Sequence, residues 1–312
     1  MGQPTVLISG AGVAGPALAH WLAGNGYRVV VVEAAPGIRP GGQTVDLRGA
    51  GREVVTRMGL LPAMTERCLF QRGIAWVRAD GTRRAEMPVE AFDGNGIVSA
   101  LEILRGDLTE VLYQATRDVA EYRFGTRISA LEEDESGVRA TLTDGCVVEA
   151  DLVVGADGPH SAVRQLAFGA EEQFIHRLGG YNAWFTAPDM IGLDGWFLMF
   201  QAAGGLNASL RPSHDAATAK AGLAFRSEPL EYDRRDPDAQ RALLAERFHG
   251  AGWYCNELLS AAAQSDDFYF DDFVQVHMDT WSAGRITLCG DAGYCASPLS
   301  GMGTSLALVG AY

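Results

Sequence analysis

The sequence predicts an α/β protein in two parts. One is a Rossmann-like, discontinuous dinucleotide-binding part, and the other is an α+β part built on an antiparallel sheet. Three observations predict this. The chain opens with a β-α-β unit around Gly10-x-Gly12-x-x-Gly15 that closes on Glu33. Two later apolar runs, Leu152–Val154 and Ile286–Leu288, lead into Gly155-Ala156-Asp157-Gly158 and Gly290-Asp291. Between them, residues 173–277 are rich in aromatics and alternate apolar with polar positions, the period of a half-buried strand.

The elements follow in order. Thr5–Ser9 is an apolar run of strand length. The helical pattern Ala17, Leu18, Trp21, Leu22 stops at Gly24-Asn25-Gly26, and Arg28–Val32 is a second strand ending in Glu33. Gly10 permits the tight turn, Gly12 lets a pyrophosphate approach the backbone, and Gly15 lets helix and strand pack closely. Glu33 is placed to accept from a ribose diol. The unit alone does not choose between NAD and FAD. Residues 34–43 form a Pro/Gly loop, Thr44–Leu47 a short strand, Gly51–Met58 a helix, and Pro62 opens another. Arg39 and Arg48 are phosphate or flavin contacts, or solvated surface arginines. Strands flank the Asp80-Gly81 turn, and Glu102 begins a helix buried through Leu104, Leu108, Val111 and Leu112. Arg105 near that helix start is poorly placed for the dipole, so its charge calls for a partner.

Four strands fill 121–149, and Asp157 at the tip of Leu152–Val154 is placed to meet a ribose or to cap a loop. Arg164 is a partner for a carboxylate or a phosphate. Helices are expected over Asp238–Phe248 and Trp253–Ala263, and a strand over Phe268–Met278. The antiparallel region can form one wall of an apolar pocket. The last strand ends at Asp291, and Gly301–Thr304 lead into the helix Ser305–Tyr312, whose N-terminal amides favour negative charge.

Composition narrows the class. The chain has 312 residues, 47% hydrophobic, and a formal net charge of −14, which disfavours nucleic acid as a partner. No run reaches membrane-spanning length, and no basic leader precedes the first strand. The five cysteines are scattered without a C-x-x-C pair, as expected of reduced thiols in a cytoplasmic protein. The histidines show no metal-ligand spacing.

The three motifs together, Gly10-x-Gly12-x-x-Gly15 with Glu33, Gly155-Ala156-Asp157-Gly158, and Gly290-Asp291-Ala292 with Pro298 and Gly301-x-Gly303, carry a resemblance. The chain resembles the FAD-dependent aromatic hydroxylases, the para-hydroxybenzoate hydroxylase-like flavoprotein monooxygenases. Within them it is most similar to the branch acting on polyketides and antibiotics, including the tetracycline-inactivating monooxygenases. The resemblance implies bound FAD, NADPH or NADH as a transient reductant, and O2. A flavin C4a-hydroperoxide would then hydroxylate an aromatic or polyketide-like small molecule. It assigns Gly10, Gly12, Ala14, Gly15 and Glu33 to the ADP half of FAD, and Arg105 and Asp157 to further cofactor contacts. Asp291 falls to the ribityl chain, and Pro298, Gly301, Gly303 and Thr304 to the isoalloxazine end. It implies an FAD-binding part at 1–70, 98–172 and 278–312, a substrate part at 71–97 and 173–277, and a further helical stretch beyond Tyr312. Gly293-Tyr294, Thr304 and Ala34 depart from the residues frequent in that family. The residues themselves leave open a flavin reductase without oxygen transfer, an NAD-dependent dehydrogenase, and a truncated, inactive FAD-binding protein.

Overall fold

The computed structural model describes residues 2–91, 97–99 and 101–312, so 92–96 of the expected substrate segment 71–97 lie outside the described residues. One layer is a six-stranded sheet. Its order is Ser282–Ala283, Ile286–Leu288, Leu152–Gly155, Thr5–Ser9, Arg28–Glu33, Glu121–Phe124, all parallel except the two-residue edge strand. Its central strands are apolar on both faces because both are covered. Val6, Ile8, Val29 and Val31 pack under the helices, with Ala17, Leu108, Val111 and Leu308. Leu7, Val30, Val32 and Val153 pack under the three-stranded sheet 128–150.

The second large sheet has seven strands, in the order Tyr269–Val276, Ile175–Pro188, Thr218–Arg226, Leu206–Pro212, Trp196–Ala202, Gly73–Val77, Arg83–Pro88. One face packs through Tyr181, Phe185, Leu210, Leu223, Phe225 and Phe270 onto the helices Pro237–Phe248 and Cys255–Gln264. The other face turns toward the parallel layer. There Arg211 donates to Thr44 Oγ1 at 2.7 Å and pairs with Glu102.

Three elements differ from the sequence reading. Glu102–Leu104 is a strand, paired with Thr44–Asp46, and the helix begins only at Arg105. Three residues cannot display a period, so a short strand feeding a helix reads as the helix's first turn. The apolar run Gly222–Arg226 predicts a strand that begins instead at Thr218, and a short helix, Asp291–Tyr294, follows Gly290.

An ionic cluster joins the two layers. His160, from the Asp157–Ser161 turn, lies 3.4 Å from Asp271 on the seven-stranded sheet and 3.1 Å from Glu171. Arg234 and Arg177 pair with Asp272 at 3.3 and 2.6 Å. The ligand atoms of His160, Asp271 and Asp272 lie within 4.8 Å of one another, but the two arginines already supply their positive charge. Desolvation alone would lower the His160 imidazole. Hydrogen bonds and charge from Asp271 and Glu171 outweigh it and lift the group from 6.5 to about 9. A raised histidine stabilises the fold fully below its unfolded value, and that contribution is lost as pH rises through the folded one. His160→Gln should therefore cost ~2 kcal/mol in urea unfolding near neutral pH. The difference from the native protein should fade above about pH 9; a cost that does not change with pH would show that the imidazolium is not what joins the layers.

Candidate cofactor groove and facing sheet

The three glycines of the first loop are held for three different reasons. Gly10 has φ +106°, and a Cβ there would lie 2.4 Å from the Ala156 carbonyl oxygen. A Cβ on Gly15 would lie 1.9 Å from the Gly10 carbonyl oxygen, so helix Ala14–Gly24 can start where it does only without a side chain. A Cβ on Gly12 would meet nothing within 4 Å. That backbone faces open space, as an approach route for a ligand requires. Ala14 is buried and faces Gly290, whose Cβ position is 3.0 Å from the Ala14 methyl.

Two acids, Glu33 and Asp157, brace this loop. Glu33 accepts from Ala11 N–H and Ala35 N–H, both at 2.8 Å. Each oxygen keeps a lone-pair direction for a further donor. Asp157 makes the capping contacts that were one of the two sequence alternatives. Its carboxylate takes Ser161 Oγ at 2.5 Å, Ser9 Oγ at 3.2 Å and the amides of Ala162 and Val163 at 3.0 and 3.3 Å. It ties the first strand to the helix Ala162–Phe168. Arg164 is fully buried, donating to the carbonyls of Ala292 and Pro159 at 2.9 and 2.5 Å. Beside Glu33, a hollow of about 330 Å³ is lined by Ala34, Gly125, Thr126, Arg127 and Thr143.

Arg105 lies deeper along the same groove. Its backbone is fixed by loop 40–43: Arg105 N–H bonds Gln43 O at 3.0 Å and Gly106 N–H bonds Gly41 O at 2.8 Å. Among the described residues nothing hydrogen-bonds its guanidinium. Burial lowers its pKa and the Arg39 charge pushes the same way, while the Glu33 and Asp291 carboxylates act against it. Arg39 and Arg48 behave differently. Arg39 is mostly exposed, 4.0 Å from Glu33, and Arg48 pairs with Asp46. Asp291 opens its short helix with its carboxylate 3.8 Å from the Cβ position of Gly303, and burial pushes that carboxyl above its ordinary value.

The sequence reading starts the last helix at Ser305. Instead Pro298–Ser300 form a single tight turn, Gly301 leaves it at φ +63°, and the helix runs Gly303–Ala311 with Thr304 in its first turn. Ser297, before Pro298, is held at φ +77°, a conformation uncommon for a non-glycine residue and costly enough to mark a constrained site. Sequence reading missed Ser297, since positive φ leaves no signature on a serine. The helices Ala14–Gly24 and Gly303–Ala311 share one property: neither has an acid in its first turn or a side-chain cap. Their terminal N–H groups and positive dipole ends are left for a ligand.

The facing sheet supplies the opposite wall. Register places Tyr269, Trp184, Gly222, Ser209, Met199 and Trp76 side by side across six strands. Gly222 is part of the design: a Cβ there would lie 2.6 Å from both the Trp184 ring and Ser209 Oγ, so the indole lies across the glycine. The neighbouring row is polar at Thr186, Lys220 and Arg211. Lys220 is buried and donates to Asp267 and Thr186 at 2.8 and 2.7 Å, and its Nζ is 3.0 Å from the Cβ position of Gly41. The Lys220 contact and the Arg211 bonds bring the wall against loop 40–44. Period-two alternation signalled the strands, but only the cross-strand register reveals the row.

Comparison with known proteins agrees with this geometry. A family model described as an FAD binding domain matches residues 3–312. A flavin-dependent monooxygenase of Legionella longbeachae is 40% identical over 308 residues, 98% of this chain and 78% of the relative. An uncharacterized protein of Mycobacterium tuberculosis is 46% identical, covering 99% of this chain and 83% of its own. The crystal structure of tetracycline destructase Tet(51) superposes with a TM-score of 0.88 at 34% identity, over 99% of this chain and 80% of that one. Matches of this extent show that the chain belongs to the FAD-binding family of flavin-dependent monooxygenases and is an enzyme of that class.

Proposed function

We propose that this enzyme uses NADPH or NADH and O2 to hydroxylate a planar aromatic or polyketide-like small molecule lying between the groove and the sheet. The carrying observation is the row Tyr269–Trp184–Gly222–Ser209–Met199–Trp76, a flat, largely apolar strip facing the groove that takes a ring system face-on. The titles of relatives favour the same class: Tet(51) is called a tetracycline destructase. In this reading residues 1–70, 98–172 and 278–312 form the FAD-binding part, and 71–97 with 173–277 the substrate part.

The groove fits FAD. Gly12 admits the pyrophosphate against open backbone, with the N-terminus of Ala14–Gly24 behind it. Glu33 takes a ribose hydroxyl, and the hollow beside Ala34 takes the adenine end. Arg105 meets the cofactor's negative charge, Asp291 the ribityl hydroxyls, and the Gly303 helix end the electron-rich edge of the ring. Bound FAD supplies the redox and oxygen-activating chemistry. The protein's own share is orientation of substrate against cofactor and exclusion of water by the Trp184 wall.

Three results test this reading. Gly12→Val should stay folded but lose flavin after gel filtration, because its new side chain enters the ligand's space. Gly15→Ala should instead fail to fold stably, because its methyl meets the Gly10 carbonyl. The pair is read by flavin absorbance and circular dichroism, and equal behaviour would contradict the roles given to the two glycines. Arg105→Ala should weaken FAD binding by about tenfold or more with little change in unfolding, by fluorescence titration. Finally, flavin-loaded enzyme with NADPH and tetracycline should give a product heavier by one oxygen atom. Reductant consumption without mass gain on tetracycline or other polycyclic phenols would point to a reductase.

A further inference from the structure

The hydrogen bonding of one phenol on the ring-binding wall is decided by charges behind it. Tyr269 sits directly across from Trp184 on the neighbouring strand and is 44% exposed. Its hydroxyl bonds Asp271 Oδ2 at 2.7 Å. Asp271 Oδ1 lies 3.4 Å from His160 Nε2, and His160 Nδ1 lies 3.1 Å from Glu171. Burial by itself raises the Asp271 carboxyl, but the hydrogen bond and charge of His160 outweigh it and keep the carboxyl well below the usual carboxylate range. An ionised carboxylate only accepts. The bond therefore has one direction: the phenol donates, and its only proton is taken up by Asp271. What remains on the tyrosine oxygen is lone pairs. Beside the Asp271 carboxylate the phenol stays protonated.

Resting on the ring-platform reading above, we infer that Tyr269 is the acceptor that selects a hydroxyl group on the bound ring. The ring lies against Trp184 and its phenolic or enolic O–H donates to the Tyr269 oxygen. Asp271 and His160 are positioning residues that fix the direction of that bond. The ligand class narrows accordingly, from any planar ring to one bearing a hydroxyl at the edge nearest Tyr269. A ring with only ether or carbonyl oxygens there faces a lone pair with a lone pair, the kind of mismatch by which a polar site rejects a close analogue.

The test uses flavin-loaded enzyme and two probes of one shape, anthraflavic acid and its dimethyl ether, with binding measured by equilibrium dialysis. The native enzyme should bind the dihydroxy compound about tenfold tighter than the ether. Tyr269→Phe should erase that gap by weakening only the dihydroxy compound, and Asp271→Asn should narrow it. Trp184→Ala should weaken both probes alike, reporting on the platform separately. Equal binding of the two probes by native enzyme would overturn hydroxyl selection and leave the platform standing. So would a gap that survives Tyr269→Phe, or a loss in that variant shared equally by both probes. Binding of neither probe would overturn the inference together with the platform.

Discussion

A methyl group on Gly15 would sit 1.9 Å from the Gly10 carbonyl oxygen, and one on Gly10 would sit 2.4 Å from that of Ala156. The rest of the cofactor end depends on these two approaches. They bring the first strand, the first helix and the Asp157 turn closer together than any side chain would allow. Backbone packed so tightly leaves few routes for satisfying its amides, and the acids supply them: Glu33 takes two and Asp157 two more. Both carboxylates thus hold the loop in shape before any ligand arrives. A preorganised loop loses less entropy on binding than one that must be ordered by its ligand.

The second sheet works by the same use of small residues, on a larger scale. One face alternates large apolar side chains into the helices Pro237–Phe248 and Cys255–Gln264. The other can be flat because Gly222 yields its space to Trp184, with Ser209 alongside. Polar groups are kept to the rows on either side. Lys220, Arg211 and Glu102 lie toward loop 40–44, while Asp271 and Asn182 lie toward His160. The sheet therefore meets the parallel layer through ionic contacts at its margins and leaves an apolar strip between them.

Local chemistry was legible in the sequence, and pairing across distance was not. Gly10, Gly12, Gly15 and Glu33 declare themselves because each role follows from position in one β-α-β unit. Asp157 declared its place but not its use, since a strand-tip acid serves equally to cap a helix or to bind a ribose. Glu102 was misread as helical because its strand is too short to show a period, and its partner Arg211 lies 109 residues away. The same limit hid the Tyr269–Asp271–His160 chain: the first two alternate on one strand, but the histidine arrives from another motif. Gly222 carried no signal either, because what a glycine makes room for is visible only once its neighbours are placed.

Charge raises a problem that the structure answers locally. A protein of net charge −14 should repel a ligand carrying phosphates. At physiological salt, however, exposed charges are screened beyond roughly 8 Å, so the groups lining the groove decide. Beside its acids, the groove presents a cation and two electropositive helix ends. Arg105 is desolvated without a hydrogen-bond partner among the described residues, a state that disfavours its own charge and that a nearby anion would relieve. The two helices aimed into the groove lack the first-turn acid that Pro237–Phe248, which starts elsewhere, carries. An acid there would stabilise either helix, and its absence leaves the helix end to be satisfied from outside. The same logic explains why Glu33 and Asp157 harm nothing. Their charge is already spread over backbone amides, so the groove presents two braced acids, an arginine without a hydrogen-bond partner among the described residues, and two open helix ends to whatever binds there.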